Sequence, residues 1–472
     1  MKQNSEQKIT ARLLIMLLAA ALLAFCGIVA ETAMNVMFTT LMEEFSIGTA
    51  QVQWVTSVYL LVLTVVIPIT SFLNKNLPER LNFLLAALPA VIGTVICMLA
   101  GSFPMLILGR IIGGVGVGLT LPLLYNLVLT HVPHRIQGTM LGVVNVIICI
   151  SPAFGPSIGG VVSTYLNWRY LFVILLPFLA AALILGLCSI PKGQAAARTS
   201  FDLRGYALIG VVFALLILGT GFSGTYGWIS LPVLGLILLA VVLALLFLLH
   251  YKHCAEPILR IRVFRFRPFL YGCLVIMMMQ INTLSLQIQL PEFSQLFNGE
   301  TAAVAGLLVL PGSILCAVMM PFTGRIYDKR GPRIPFLSGI VCMLAYMAFC
   351  MLFTMRLNTA TLIVTYLVYC FGIGMIFSNL QGTAFQSLPA ELSADGTAMF
   401  NTLQQFGGAL GTAVIASVLA APQSRYAEDL AYATAVGARH GFIMLFVIDC
   451  AAAFCLCMIL RSRRQKADDA VD

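Results

Sequence analysis

Long apolar segments recur along this chain of 472 residues, and they constrain its fold more than any other feature. A helix needs about 20 apolar residues to cross the hydrocarbon core of a bilayer, because lipid offers backbone N–H and C=O groups no hydrogen-bond partner. The segments that meet this test are residues 13–41, 51–73, 82–101, 104–129, 137–165, 169–190, 205–223, 231–250, 268–292, 302–324, 334–353, 359–384, 396–421 and 441–460. The chain is therefore predicted to be an all-α integral membrane protein with fourteen transmembrane helices.

Composition excludes a soluble protein. Hydrophobic residues make up 60% of the chain and charged residues 10%, whereas soluble domains carry about 25% charged residues. The first apolar run is too long for a cleaved signal peptide and is expected to be retained. Cysteines lie almost entirely in apolar runs, and the loop residues Cys254, His250 and His253 form no recognisable ligand motif. We expect no disulfide framework, no metal site and no cofactor.

The distribution of Lys and Arg predicts the orientation in the membrane. With the amino terminus in the cytoplasm, the cytoplasmic segments hold 22 of the 27 basic residues and the outer face holds 4, while Arg110 lies inside a span. Cytoplasmic loops carry such an excess. Both termini are predicted to be cytoplasmic, in the plasma membrane of a bacterial cell. Short basic loops of this kind do not indicate nucleic-acid binding.

Two loops indicate an internal repeat. SFLNKNLPER (71–80) and GRIYDKRGPR (324–333) occupy equivalent places between second and third helices if spans 7 and 8 are an insertion. The predicted units are an amino-terminal six-helix bundle over 1–192, a two-helix insert with cytoplasmic linkers over 193–255, and a carboxy-terminal six-helix bundle over 256–472. Parallel repeats of this kind enclose a central cavity at their interface.

The second loop resembles the G-x-L-x-D-R-x-G-R-R/K motif of the major facilitator superfamily. The resemblance implies that superfamily's fold, here with a 6+2+6 arrangement, and a gate loop that stabilises the outward-open state. The implied gate residues are Gly324, Arg325, Asp328, Gly331 and Arg333. In the first copy Lys75 and Pro78 replace the aspartate and the second glycine, so that latch is expected to be weaker.

Span 4 carries LILGRIIGGVGVG (106–118), in which Arg110 is charged. A charge in lipid is costly, so Arg110 should face the bundle interior and have a partner. It either forms a structural ion pair or takes part in proton transfer, and the second reading is favoured. The segment resembles the superfamily's span-4 motif, which centres on such an arginine.

Span 5 carries SPAFGPSIGG (151–160), with Pro152, Gly155, Pro156, Gly159 and Gly160. Prolines bend a helix, and glycines admit a neighbouring backbone. Kinked and closely packed helices alone would explain the pattern. Its G-P-x-x-G-G order also resembles the antiporter motif of exporters in this superfamily, which implies outward transport.

Span 1 holds VAETAMNV (29–36), in which Glu31 is the only acid of the first half placed well inside a span. Glu31, Asn35 and Thr39 recur every four residues and share a face. An intramembrane carboxylate is a functional-site hypothesis, because it can bind and release a proton. The segment resembles the span-1 motif of the fourteen-span drug:proton antiporters (EmrB/QacA type), with glutamate in place of aspartate.

Depth along the helices supports a pairing of two charges. Glu31 lies about 15 Å and Arg110 about 9 Å from the outer ends of their predicted spans. Asp449 of span 14 lies about 13 Å in on the same measure. Proton coupling is assigned to Glu31, Arg110 and Asp449, although a structural role is favoured for Asp449.

Polar and aromatic side chains inside the spans predict a cavity with few charges. The candidates are Asn35, Trp54, Tyr59, Asn145, Gln280, Gln287, Tyr369 and Gln404. Any one of them could instead pack against a neighbouring helix or face lipid. Methionines in MMMQINTLSLQIQLPEF (277–293) can repack around varied apolar solutes. Gln404 stands where many members of the family have arginine. LNWRYLF (166–172) resembles that family's W-R-W-I-F segment.

These features predict a monomeric, proton-coupled secondary transporter that exports small lipophilic compounds, neutral or cationic, by alternating access. It is not expected to be an enzyme, and the absence of a Walker-type phosphate loop argues against ATP as energy source. Its partners would be the small-molecule substrate, protons and the lipid bilayer. The alternatives are a lipid or glycolipid flippase, a dedicated exporter of a biosynthetic product, and a proton-coupled importer, against which span 5 argues.

Overall fold

The computed structural model describes residues 10–191, 201–254, 261–389, 392–426 and 428–468, and every regular element in these ranges is a helix. The first half contains α1 (Ala11–Val36), α2 (Phe38–Phe45), α3 (Thr49–Val52), α4 (Trp54–Val66), α5 (Ile69–Asn76), α6 (Glu79–Met98), α7 (Phe103–His131), α8 (His134–Tyr165) and α9 (Tyr170–Ser189). Next come α10 (Leu203–Tyr226), α11 (Leu231–His253) and a 3-10 turn (Ile261–Arg265). The second half contains α12 (Arg267–Leu296), α13 (Ala302–Leu308), α14 (Leu310–Arg330), α15 (Arg333–Phe353), a 3-10 turn (Thr354–Arg356), α16 (Thr359–Phe385), α17 (Ser393–Arg425) and α18 (Leu430–Asp468).

Fourteen helical stretches are long and apolar enough to cross a membrane, which confirms the predicted number of spans. Two of these spans are interrupted. Span 2 consists of α3, α4 and α5, and Pro68 immediately precedes α5. Span 10 consists of α13 and α14, with Pro311 in the first turn of α14. Proline lacks the backbone N–H and starts a helix more easily than it continues one, which accounts for both positions.

Span 14 differs from its prediction. The sequence predicts a start at residue 441 after a long outer loop, but α18 begins at Leu430 and α17 continues to Arg425. Arg439 and His440 interrupt the apolar run on which that prediction depends. The segment before them, LAYATAVGARH, is rich in alanine, which favours helix. Asp449 therefore lies about 28 Å from the start of its helix, twice the depth expected from sequence.

The helices pack as two groups. In the first half α1 contacts α7, α8 and α9, while α6 contacts α7 and α9. In the second half α12 contacts α16, α17 and α18, while α15 contacts α16 and α18. Helix α10 contacts α11, and it also contacts α4 of the first half and α17 of the second.

Two faces of the bundle serve as landmarks. The terminal face is where α1 begins at Ala11 and α18 ends at Asp468, and the far face is where α1 ends at Val36 and α18 begins at Leu430. An even number of spans places both described chain ends on one face.

Candidate functional site: a central cavity between the two halves

A central cavity lies between the two groups of helices. Its empty volume is about 1410 Å³, including space open to solvent. Helices α1, α4, α7 and α8 line it from one half, and α12, α14, α16 and α17 line it from the other. Polar lining residues include Glu31, Gln280, Gln287, Gln381, Asn401 and Gln404. The lining reaches Tyr125 and Gln381, which lie near the terminal-face ends of α7 and α16, so the cavity extends toward that face.

The far face is closed by contacts between the halves. Thr39 Oγ1 donates to Gln295 Oε1 at 2.6 Å, and Gln295 Nε2 donates to the Val36 carbonyl at 3.3 Å. The backbone N–H of Ala303 donates to Thr164 Oγ1 at 2.8 Å. These bonds join the far-face ends of α1, α2 and α8 to α12 and α13. The structure is therefore open toward the terminal face and sealed at the far face.

The glycines of span 5 allow two very close helix contacts. A Cβ at Gly155 would overlap the side chain of Thr32, and one at Gly159 would lie 2.6 Å from the Ala33 carbonyl oxygen. A Cβ at Gly160 would overlap the Ala302 carbonyl on the other half. The Pro156 carbonyl lies against Gly306 of α13 in the same contact. The motif thus packs α8 against α1 and against the far-face end of span 10, while Pro152 lines the cavity.

Glu31 lies on the cavity wall. Its residue surface is 6% exposed, and its neighbours in the lining include Ile28 and Thr32 of the same helix. Glu31 forms no ion pair within 4.0 Å among the described residues. The ion pairs found there are His131–Glu79, Arg169–Glu44 and His250–Asp202. Glu31 thus has access to the cavity and no ion-pair partner in contact. A carboxyl group in this position is able to exchange a proton with water in the cavity.

Arg110 is buried beside the Glu31 turn of α1. Its Nε donates to the Val55 carbonyl and its Nη1 to the Ala30 carbonyl, each at 3.0 Å. The guanidinium lies 3.9 Å from the ring centroid of Tyr59, whose hydroxyl donates to the Gly27 carbonyl at 3.1 Å. Arg110 Nη2 is buried and has no hydrogen-bond partner among the described residues. Arg110 therefore joins α7 to α1 and α4, and it fixes the backbone next to Glu31 while leaving one charged N–H group unused.

Asp449 lies away from the cavity lining. Its Oδ1 accepts a hydrogen bond from Asn282 Nδ2 at 2.6 Å, and its Oδ2 is buried without a partner among the described residues. Tyr369, predicted to line the cavity, packs instead on Tyr346 and Tyr366 with centroid distances of 5.2 and 5.8 Å. Of these aromatic rings, Tyr366 is the one that reaches the cavity.

The other predicted cavity residues divide into two groups. Gln280, Gln287 and Gln404 line the cavity, and Gln404 donates to Gln280 at 3.4 Å. Asn35, Trp54 and Tyr59 are not in the lining. Asn35 accepts a hydrogen bond from Thr56 at 2.7 Å, and Trp54 packs on Phe222 of α10 at 5.8 Å. Asn145 belongs to α8, and its side chain lies outside the described part of the structure.

The predicted gate loop lies on the terminal face. Gly331 ends α14 with φ of +74°, and its N–H donates to the Tyr327 carbonyl at 2.8 Å. This left-handed conformation favours glycine.

The charged residues of the gate loop form no ion pair among the described residues. Asp328 is exposed and belongs to none of those pairs. Arg325 lies 5.9 Å from the Phe322 ring, Gly324 has open space around it, and Arg333 starts α15. Within the described part of the chain, the loop forms no ion pair while the cavity is open toward this face.

Glu292 is an acid near the end of the methionine-containing segment 277–293, and it is not among the predicted site residues. It is 3% exposed, at the far-face end of α12. Its Oε1 accepts from Gln423 Nε2 at 2.9 Å and from Thr49 Oγ1 at 3.4 Å, so it bridges α3 of the first half to α17 of the second. Its Oε2 is buried without a partner among the described residues. An acid inside an apolar segment was the signal in the sequence, but nothing there indicated a contact between halves.

The LNWRYLF segment (166–172) forms a hydrogen-bonded cluster with Glu44 at the far face. Arg169 donates to Glu44 Oε1 at 2.7 Å, and the Trp168 indole donates to Glu44 Oε2 at 2.6 Å. Partial burial raises the pKa of Glu44, but the hydrogen bonds from Arg169 and Trp168 outweigh it, and the pKa lies below its usual value. Arg169 also donates to the Ala100 carbonyl at 3.0 Å. The cluster joins three far-face loops of the first half.

Helix α10 covers one flank of the cavity. Ser223 Oγ donates to Ser417 Oγ of α17 at 3.0 Å, and Gln53 Nε2 donates to the Gly221 carbonyl at 3.3 Å. Phe213 packs on Phe406 of α17 with ring centroids 4.8 Å apart. The first helix of the insert therefore binds to both halves along the line where α4 meets α17.

Known proteins are similar to this chain in sequence and in fold. The profile of the Major Facilitator Superfamily matches residues 20–412. The lincomycin resistance protein LmrB of Bacillus subtilis (strain 168) is 32% identical over 458 residues, 95% of each chain. A multidrug resistance protein B homolog of Mycobacterium tuberculosis (strain ATCC 25618 / H37Rv) is 26% identical over 414 residues, 86% of this chain and 76% of that one.

Solved structures agree on the fold. A POT family transporter in complex with 5-aminolevulinic acid superposes with a TM-score of 0.66 over 95% of each chain at 16% identity. A D-xylose-proton symporter superposes with a TM-score of 0.66 over 95% of this chain and 96% of that one at 14% identity. Likeness at such low identity is evidence for architecture only. Together with the motifs and the fourteen spans, the relatives confirm the resemblance drawn from sequence: the chain is a transporter, not an enzyme, and belongs to the Major Facilitator Superfamily.

Proposed function

We propose that this protein is a proton-coupled exporter of small lipophilic compounds, neutral or cationic, that works by alternating access. One observation carries the proposal. Among the described residues that line the cavity, Glu31 is the only Asp, Glu, Lys, Arg or His, and the remainder are apolar, aromatic, hydroxyl, thiol or amide side chains. A cavity of this chemistry suits a solute with apolar surface and little or no negative charge.

Glu31 would couple the proton to the substrate by competition. A bound cation favours the ionised carboxylate and displaces the proton, whereas protonation removes the attraction for the cation. Each ligand then weakens the other by the same factor, as linkage requires. A neutral solute would compete through space in the cavity and through the loss of water around the carboxylate. Arg110 would hold the α1 backbone at Glu31 in position for this exchange.

The direction of transport and the orientation belong to the same proposal. The excess of 22 basic residues over 4 supports a cytoplasmic terminal face in a plasma membrane. The cavity would then load from the cytoplasm or inner leaflet in the conformation described here. Opening of the far face would expose Glu31 to external protons and release the substrate. The close contact of Gly160 with Ala302 of the other half supports an antiporter-type seal at that face.

The proposed units are the six-helix bundles over 1–192 and 256–472 with the two-helix insert over 193–255. Helix α10 makes contacts with both bundles, which would support it as a fixed flank during the exchange. Helices from both halves of one chain enclose the cavity, so the transport route needs no second copy, and we propose that the protein acts as a monomer.

Efflux from cells tests this function. Lincomycin is the first compound to use, because relatives are named for resistance to it. A cationic dye and an anionic dye of similar size complete the panel. We expect lower accumulation of lincomycin or the cationic dye in cells that express the protein, and loss of that difference with a protonophore. Accumulation unchanged by the protein, or export that persists after the proton gradient collapses, would contradict the proposal.

The flippase alternative makes a different structural demand. A lipid would have to enter the cavity sideways, and α10 covers the flank where α4 meets α17. Reconstituted vesicles with a labelled phospholipid or glycolipid would separate the two functions. Export of soluble compounds without lipid movement is the result expected here.

A further inference from the structure

A second polar cluster lies outside the cavity, at the terminal-face ends of the insert helices. Asp202 precedes the first turn of α10, and His250 and Cys254 lie in and just after the last turn of α11. Their donor atoms, one from each side chain, lie within 4.8 Å of one another. The sequence predicted no metal site here, because His250 and Cys254 form no recognisable ligand motif. Asp202 lies 48 positions before His250. The hairpin of α10 and α11 brings them together.

The carboxylate of Asp202 is only partly used. Its Oδ1 accepts from the Gly205 N–H at 2.8 Å and lies 2.8 Å from His250 Nε2. The side chain is 6% exposed, and its Oδ2 is buried without a geometrically acceptable hydrogen bond among the described residues. The neighbouring Cys254 thiol is a weak donor. Burial raises the pKa of Asp202, but the Gly205 amide and His250 outweigh it, so the carboxyl ionises below its usual value.

The three side chains form a borderline-soft donor set. Carboxylate oxygen, imidazole nitrogen and thiolate sulfur are the ligands that Zn²⁺ prefers. Bonds of about 2.0 to 2.3 Å to one tetrahedral ion place ligand atoms about 3.3 to 3.8 Å apart. The triangle of donor atoms, with one side of 2.8 Å and none above 4.8 Å, needs only a small adjustment to meet this geometry.

We propose that Asp202, His250 and Cys254 form a binding site for a Zn²⁺-like divalent cation, with a fourth position open to water. Binding replaces the hydrogen bond between His250 Nε2 and Asp202, and the imidazole then carries its single proton on Nδ1 so that Nε2 is free to bind the ion. The thiol proton of Cys254 leaves to solvent, because the thiolate is the ligand. The bound ion clamps the start of α10 to the end of α11. This site is separate from the cavity, so it would stiffen the insert that contacts both halves without touching substrate.

Cobalt binding to the purified full-length protein tests the site. Co²⁺ bound to a thiolate absorbs in the near ultraviolet, which identifies a cysteine ligand directly. We expect this absorption when Co²⁺ is added to metal-stripped protein, and its loss when Zn²⁺ is added in turn. Cys254→Ser should abolish it, and Asp202→Asn, which keeps the cap on Gly205, should weaken Co²⁺ binding.

A matched control lies on the same helix end. His253 is exposed, and its Nδ1 lies 2.9 Å from the Leu249 carbonyl oxygen of its own helix. His253→Ala should keep the absorption, whereas His250→Ala should lose it. Absence of absorption in the wild type, or equal absorption in the wild type and Cys254→Ser, overturns the proposal. No transport is measured, so this result is independent of the proposed function.

Discussion

Two buried acids, Glu31 in the first half and Asp449 in the second, occupy different surroundings. Glu31 lines the cavity and is in contact with no ion-pair partner among the described residues. Asp449 is 1% exposed, accepts a short hydrogen bond from Asn282, and is absent from the cavity lining. Both meet the rule that an intramembrane acid is a functional candidate. Access to the cavity, rather than burial, separates them.

The different surroundings of Glu31 and Asp449 favour different roles for the two acids. A proton site in an antiporter must meet water or substrate in alternation, and Glu31 is placed to do so. Asp449 with Asn282 joins α18 to α12 and has the contacts of a structural pair. We propose Glu31 as the coupling residue and Asp449 as the support of the second half.

The largest expected effect comes from neutralising the two acids separately. Glu31→Gln mimics the protonated state and should abolish protonophore-sensitive efflux, whereas Glu31→Asp should keep part of it. Asp449→Asn retains an acceptor for Asn282 and should keep most of the activity. The measurement is efflux from cells at equal amounts of membrane-inserted protein. Equal loss in Glu31→Gln and Asp449→Asn would remove the distinction between the acids.

Substitution of Arg110 tests whether the α1 backbone next to Glu31 must be held in position for transport. Arg110→Lys keeps the charge, but lysine lacks the planar guanidinium that donates to the Val55 and Ala30 carbonyls at once. We expect transport to fall about tenfold, the change for about 1.4 kcal/mol of lost positioning. The control is Arg356→Lys, on an exposed far-face turn outside the cavity lining. Unchanged transport in Arg110→Lys would show that the charge alone is sufficient.

A smaller effect is expected from the helix contact behind Glu31. Gly155→Ala places a methyl group against Thr32, the residue next to Glu31. Overpacking of about 1 kcal/mol between α8 and α1 would displace the α1 turn that carries Glu31 and lower turnover about fivefold. Gly382→Ala is the matched control, because a Cβ there has open space in helix α16. Similar turnover in both variants would mean that this contact does not limit the transport cycle.

The gate loop should give the smallest effect. Asp328 is exposed here, and a surface charge interaction in the opposite conformation contributes about 0.5 kcal/mol. Asp328→Asn should therefore lower turnover about twofold and leave substrate affinity unchanged, since it shifts a conformational equilibrium. Turnover and binding constants measured on one reconstituted sample separate these quantities. Weaker binding at normal turnover would place Asp328 in contact with substrate.

The sequence predicted the spans because length and hydropathy determine what crosses a bilayer. It also selected Glu31 and Arg110 as candidates, since a charge inside lipid is costly, and it predicted close helix contacts at the span 5 glycines. It could not say which face of a helix meets the cavity. Trp54 illustrates this limit. Its helix is predominantly apolar, so no amphipathic period predicted that the ring would face α10 rather than substrate.

Contacts between segments that are distant along the chain could not be predicted from the sequence either. Glu292 bridges α3 and α17 through Thr49 and Gln423, which are separated by 374 positions from each other. The insert cluster of Asp202, His250 and Cys254 depends on how α10 and α11 meet. The early start of α18 was missed because alanine-rich sequence is only weakly apolar, although it favours helix.

Proton release on substrate binding tests the central claim most directly. Purified protein in weakly buffered solution receives a compound that the efflux assay identifies as exported, and the pH change is recorded for wild type and Glu31→Gln. Both variants must first bind the compound to comparable extents. The account predicts proton release from the wild type and none from Glu31→Gln. Equal release from the two would contradict it and would move the proton site elsewhere, with Asp449 as the next residue to test.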